Sequence, residues 1–220
     1  MKKIFITGGT GYIGSRLIKA LLKDGNYKIR ALVRKGSENK LPPGCEIIIG
    51  DALNAESYKH NIEKGSIFVH LVGVAHPSPS KKEQFKKIDL PSIQEAVKAA
   101  TSAAAEHFIY LSVVMYPTKI MKDFQEVRAE GERLLLRSNL KTTFIRPWYV
   151  LGPGHWWPLL LKPFYFIAKQ IPSKKEAAKQ LDTVTITQMV ESLVVAVKMQ
   201  PVQNTIFDVQ KIRSVGNRQS

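Results

Sequence analysis

The residues best suited to chemistry stand near the start of the chain, where Gly8-Gly9-Thr10-Gly11-Tyr12-Ile13-Gly14 contains the spacing GxGxxG. The glycines follow a short β-branched run at 4–7 and open an amphipathic stretch carrying Leu17, Ile18, Leu21 and Leu22. That context predicts a strand, a tight turn and a helix, with backbone N–H groups and the helix N-terminus free to approach a pyrophosphate. Gly8, Thr10, Gly11, Tyr12 and Ile13 are the residues expected at the phosphates, and Gly14 lets the helix lie close to the strand. The spacing GxxxxGK[ST] is absent, so nucleoside triphosphate hydrolysis on a P-loop is not expected. A glycine turn with a purely structural role is the alternative.

A dinucleotide reader places its next decisive residue about twenty positions further on, where an acid binds a ribose 2′-hydroxyl and an arginine accommodates a 2′-phosphate. Here that strand ends Arg34-Lys35-Gly36-Ser37. A guanidinium can hold a phosphate bidentately and a carboxylate cannot, so the pattern points to NADP(H) over NAD(H). A solvated basic strand end is the competing reading of Arg34 and Lys35. Asp51-Ala52 would reach the adenine side, and Leu71-Val72-Gly73-Val74-Ala75 would form a smooth wall beside the adenosine. Asp51 could equally cap the helical segment that follows it.

These residues need a scaffold that brings separate chain segments to one edge. Apolar and β-branched runs at 4–7, 28–33, 46–49, 67–74, 108–113, 143–150 and 205–209 predict seven strands. Helical patterns lie between them, at roughly 15–25, 54–64, 83–105, 121–139 and 187–199. The alternation predicts an α/β fold: a Rossmann-type, doubly wound parallel sheet with helices on both faces, in a single domain over 1–220. Residues 151–182 carry no clear strand and read as a short insertion on the substrate side, beside the carboxyl edge of the sheet.

Composition bounds the class further. Of the 220 residues, 44% are apolar and 23% charged, as in globular domains. The single cysteine, Cys45, excludes an internal disulfide, and no CxxC or His/Cys cluster suggests a metal. With no apolar leader at the N-terminus, a cytoplasmic setting is expected. Lys and Arg outnumber Asp and Glu by 33 to 18, a formal net charge of +15. That surplus invites anionic partners, or serves as solvated helix faces. No reader motif accompanies it, so specific nucleic-acid binding is not expected.

Taken together, TGGTGYIGSRL, FIYLSVV, EGERLLLRS, TTFIRPWYVLGPG and TVTITQMVESLVVAV resemble, in that order, the short-chain dehydrogenase/reductase superfamily. The likeness is to its extended and atypical branch, which includes sugar-nucleotide epimerases, NmrA-like proteins and the nucleotide-binding accessory subunit of respiratory complex I. Active members carry a Tyr and a Lys four residues apart on one helix face, where the ammonium favours phenolate and the phenol exchanges a proton with substrate. The resemblance puts Phe124 at the Tyr position and Arg128 at the Lys position, and phenylalanine has no proton to give. It also implies catalytic roles for Ser112 and Arg128, and cofactor contacts for Arg128 and Pro147. Tyr116 with Lys119, or Lys122, could stand in for the lost pair, although Pro117 interrupts the first combination.

The same resemblance puts Trp148 to Pro158 at the mouth of the nicotinamide site. There His155 could serve as acid or base, or be a surface loop residue, and the tryptophans could meet a flat apolar ligand or close the core. The apolar run at 159–169, about half the roughly 20 residues a membrane span requires, could lie on an acidic membrane face or in a dimer contact. Two functions therefore stand side by side. One is an oxidoreductase or isomerase for a small apolar or aromatic substrate, working without the Tyr–Lys relay. The other is a non-catalytic NADP(H)-binding accessory, assembly or regulatory protein, possessing a protein partner or a peripheral membrane contact.

Overall fold

The computed structural model describes residues 1–118, 121–154, 179–200 and 204–216. Seven parallel strands form one sheet in the order β3-β2-β1-β4-β5-β6-β9. They are β1 (Lys2–Thr7), β2 (Tyr27–Val33), β3 (Glu46–Ile49), β4 (Ile67–His70), β5 (His107–Leu111), β6 (Lys141–Ile145) and β9 (Thr205–Phe207). The order reverses between β1 and β4, which opens a crevice at the carboxyl ends of those strands.

Alternation along the strands sorts two cores. Ile4 and Ile6 of β1 face one layer together with Val69, Ile109 and Ile145. That layer is covered by α1 (Tyr12–Asp24), α4 (Ile186–Lys198) and α5 (Val209–Gly216), through Leu17, Ile18, Leu21, Leu193 and Ile212. Phe5 points the other way and joins Phe68, Phe108 and Phe144 in an aromatic stripe across four strands. Successive rings stack at 5.4 Å (Phe5–Phe68) and 4.9 Å (Phe68–Phe108). Over this bulky stripe lies α2 (Leu90–Ser102), which offers the small Ala96, Ala99 and Ala100, beside α3 (Lys122–Arg137). Large residues on the sheet and small ones on the helix fill the layer without collision.

The departures from the sequence reading have local causes. The strand expected over 67–74 stops at His70, because Leu71 to Ala75 turn along the crevice. The strand expected over 143–150 is two, since Pro147 has no N–H to continue a ladder. Its second half, β7 (Tyr149–Leu151), pairs in parallel with β8 (Thr183–Thr185) in a separate small sheet that the sequence did not signal. The helix expected over 54–64 is two single turns, Ala55–Ser57 and Lys59–Asn61, broken at Tyr58 with φ −144°. The helix expected over 83–105 is present, but widens into a π turn at Phe85–Asp89. That widening relieves Pro91, whose ring would crowd the carbonyl four residues back in a regular helix. Helix α5 was not foreseen, and the Asp208 carboxylate caps it by accepting from the Lys211 N–H at 2.8 Å.

Candidate functional site

At the end of β1 the chain must turn beneath the segment leaving β4. Gly8 does so with φ +78°, and a Cβ there would lie 2.7 Å from the Leu71 carbonyl carbon and 2.9 Å from the Val72 nitrogen. Only glycine fits. Gly11 then caps α1 without any side-chain hydrogen bond, and no acidic residue stands in the first turn. The positive end of the helix is thus neither neutralised nor occupied by its own side chains. Gly14 has a packing role, because a Cβ on it would collide with the Gly8 carbonyl oxygen. Backbone close approach, free N–H groups and a positive helix end together fit a dinucleotide pyrophosphate.

From this turn a groove of about 540 Å³ runs across β1, β2 and β3. Gly8, Thr10 and Gly11 border one end, and Arg34, Ser37 and Lys40 border the end beyond β2. Lys35 is exposed and is not part of the lining, whereas Lys40 and Lys81 are, which the sequence reading missed. Asp51 and Ala52 line the groove after β3. Asp51 also organises its own turn, accepting from the Leu53 N–H at 2.9 Å, while Asn54 caps the helical turn that follows. The wall is the expected run of Leu71, Val72, Gly73, Val74 and Ala75.

Beyond that wall lies a chamber of about 450 Å³. Tyr12 and Ile13 of α1, Ser112 and Val113 after β5, Phe124 and Arg128 of α3, and Pro147, Trp148 and Tyr149 surround it. Leu71, Gly73 and Val74 border both the groove and the chamber. Phe124 packs on Phe85 with ring centroids 5.0 Å apart. Ser112 is held by its backbone, donating to the Ile145 carbonyl at 2.8 Å, and its hydroxyl has no protein partner among the described residues. His76 lies on the chamber rim in the left-handed region, φ 50°. No residue pattern in the sequence marked it.

Arg128 departs most from the role the resemblance implied. Its Nη2 meets the Asp89 carboxylate at 2.7 Å, and its Nη1 donates to the Leu111 carbonyl at 2.9 Å. Asp89 in turn accepts from the Val74 N–H at 3.0 Å, so the pair fixes the wall between groove and chamber. Gly73 makes room for the guanidinium, which a Cβ would strike. Burial pushes the Asp89 carboxyl above its usual range, opposed by the adjacent guanidinium. Behind the pair, His70 bridges Thr7 Oγ1 at 2.8 Å and Ser92 Oγ at 3.4 Å. Burial, then Arg128, lowers its imidazole pKa to about 3, so it is neutral. Arg128 is therefore one end of a buried polar layer.

Tyr116 does not border the chamber, and Lys122 is an exposed residue 3.6 Å from Glu126. Lys119, His155, Trp156, Trp157 and the apolar run at 159–169 lie outside the described residues, and with them most of the 151–182 insertion. Among the described residues no His, Cys, Asp and Glu cluster could hold a metal. Within the same residues no helix is long and apolar enough to cross a membrane.

Residues 8–152 match a protein family described as NAD(P)H-binding. A ceramide reductase of Caulobacter vibrioides is 25% identical over 153 residues, covering 69% of this chain and 47% of that protein. A UDP-glucose 4-epimerase of Vibrio cholerae is 24% identical over 176 residues, covering 70% and 53%. The chain thus spans about half the length of the curated relatives it matches. In fold it is similar to the Bordetella bronchiseptica enzyme WbmH, solved in complex with NAD+, at a TM-score of 0.70 and 18% identity over 99% of this chain and 79% of that one.

Proposed function

The chain belongs to the NAD(P)H-binding family, among the epimerase-like members of the short-chain dehydrogenase/reductase superfamily, and on that footing we propose that it is an NADP(H)-dependent oxidoreductase for a small apolar or aromatic substrate. One observation carries the reading: the wall of Leu71, Gly73 and Val74 is common to a cationic nucleotide groove and a largely apolar chamber. A shared wall lets cofactor and substrate be held side by side. A nicotinamide cofactor, when bound, supplies the hydride chemistry.

The chain's own residues then have separable tasks. The Gly8–Gly11 turn and the N-terminus of α1 hold the pyrophosphate, and Arg34, with Ser37 and Lys40 nearby, receives a 2′-phosphate. Val113, Phe124 and Trp148 keep water from the reacting face of the chamber. Phe124 cannot exchange a proton, and Arg128 is committed to Asp89, so the substrate oxygen exchanges its proton with water reaching the chamber rim.

Calorimetric titration of NADPH and NADH tests the cofactor half, using the native protein and Arg34→Asp. NADPH should bind at least tenfold tighter than NADH, and the substitution should remove the preference. NADPH oxidation with a panel of quinones and aldehydes then tests the reaction. A second reading, nucleotide binding without turnover in an accessory protein, is favoured by Phe124 and by the engagement of Arg128. Tight NADPH binding with no oxidation across the panel selects it.

A further inference from the structure

The basic end of the groove is built on two consecutive turns, with Ser37 at their junction. The Ser37 N–H donates to the Arg34 carbonyl at 3.0 Å, and the Lys40 N–H donates to the Ser37 carbonyl at 3.1 Å. A turn closed in this way keeps its end residues within about 7 Å at Cα, so a cation stands one turn away on either side of the serine. Arg34, Ser37 and Lys40 all line the groove. No ion pair among the described residues engages either cation. Ser37 starts the single turn Glu38–Lys40 without using its side chain as a cap, so the hydroxyl is not spent on the backbone. Gly36 passes through the left-handed region at φ +82°, with open space around it. Lys35 is exposed and outside the lining, so binding in the groove gives it no task.

We propose that Ser37 is a phosphorylation site, and that its phosphate is held by Arg34 and Lys40 in the seat of a ribose 2′-phosphate, closing the groove to NADP(H). The second half rests on reading this groove as the NADP(H) site. Arg34-Lys35-Gly36-Ser37 presents the hydroxyl three residues after a guanidinium and two after an ammonium, on an open turn. That is the charge pattern a basophilic protein kinase selects, and it gives Lys35 a task. In the transfer, Ser37 Oγ attacks the γ-phosphorus of the kinase's nucleoside triphosphate. A new O–P bond forms and the bond to the bridging oxygen breaks. The hydroxyl proton passes to the kinase's base, and the nucleoside diphosphate leaves. The product carries about two negative charges and three acceptor oxygens opposite two cations, the setting in which a phosphate orders a turn. These cations are the ones a 2′-phosphate needs, and NADH has no such phosphate. The modification therefore acts on one cofactor and spares the other.

To test this, the full chain is incubated with ATP, Mg2+ and a basophilic serine/threonine kinase, and the modified residues are located by peptide mass mapping. Ser37 should be phosphorylated, and saturating NADPH should slow the reaction by covering the hydroxyl. The phosphoprotein, shown to be folded by a melting curve, should bind NADPH at least about tenfold more weakly in calorimetry, the worth of one lost charge-assisted hydrogen bond. Its affinity for NADH should change by about threefold or less. Ser37→Ala should show the same NADPH affinity before and after the kinase reaction, which separates this phosphate from any other. Phosphorus NMR reads the seat without a nucleotide. The second pKa of the phosphate should fall at least about half a unit below its usual value of about 6. Lys40→Ala, which leaves the kinase's recognition residues intact, should move it back. The proposal is overturned by a kinase product without phosphate on Ser37, by an unshifted phosphate titration, or by an NADPH affinity that phosphorylation leaves within about threefold. A lowered phosphate titration in a protein that never binds NADPH leaves the phosphate seat standing and sinks the cofactor reading. Tight NADPH binding to the native protein with any of the three overturning results does the reverse.

Discussion

Lowering the pH from 7 to 5 should remove about 4 kcal/mol of folding stability through two buried histidines. His70, fully buried between Thr7 and Ser92, is held to about 3 by burial and then by Arg128. His107, 1% exposed and 2.9 Å from Thr143 Oγ1, is held to about 4 by burial and then by Lys2 and Lys141. Both start from an ordinary value of 6.5. Between the lowered and the ordinary values the unfolded chain binds a proton that the folded protein refuses. Their contribution is therefore fully present above 6.5 and is lost as the pH falls towards 3 and 4. Each histidine loses about 1.4 kcal/mol per pH unit, or about 2 kcal/mol by pH 5. Urea unfolding followed by circular dichroism at pH 7, 6 and 5 measures the sum, as a midpoint lowered by about 1.5–2 M. His70→Gln and His107→Gln should each remove about half of the pH slope. A native midpoint that stays put between pH 7 and 5, or a slope that survives both substitutions, refutes the reasoning. Because His70 ends β4 and the groove wall begins at Leu71, the same acidification should weaken NADPH binding before global unfolding.

Gly8→Ala places a Cβ against Leu71 at a φ that side chains avoid, so it should cost about 2–5 kcal/mol and abolish NADPH binding, read by thermal melting and calorimetry. Asp89→Ala strands the Arg128 charge in the interior. It should cost about 3–5 kcal/mol and lower the melting temperature by roughly 6–20 °C, with Asp89→Asn intermediate. Phe124→Tyr restores a phenol at the chamber wall but not a free cation beside it, so NADPH oxidation should change less than threefold. A gain above tenfold would show that the Asp89–Arg128 pair does not withhold the arginine.

Local chemistry was legible from the sequence and long-range pairing was not. The glycine turn and the strand–helix alternation follow from patterns within a few residues of each other, whereas Ser112, Phe124, Arg128 and Pro147 were pointed to by the family resemblance and not by local pattern. Asp89 was invisible because nothing in Lys87-Ile88-Asp89-Leu90 says that a guanidinium 39 residues later will meet it. The π turn that carries Asp89 depends on Pro91, a residue that reads from sequence only as a helix start. Lys40 and Lys81 belong to the groove because two short helical turns, Glu38–Lys40 after β2 and Pro79–Lys81 after β4, bring them to its lining, which periodicity does not encode. The β7–β8 pair joins segments more than thirty residues apart, so β8 and the pairing did not announce themselves, although Tyr149 and Val150 fall in an expected strand.

The Asp89–Arg128 contact also constrains how this sequence can evolve. Either residue changed alone leaves an uncompensated interior charge, at a cost of about 3–5 kcal/mol against the roughly 5–15 that hold a typical domain together. Changed together to apolar residues of similar volume, they leave no such charge behind. The two positions are therefore epistatic: drift at one waits on the other, and a lineage crosses between polar and apolar versions in a paired step. In a library randomised at 89 and 128 and selected only for folding, apolar pairs should outnumber the product of the single-site frequencies.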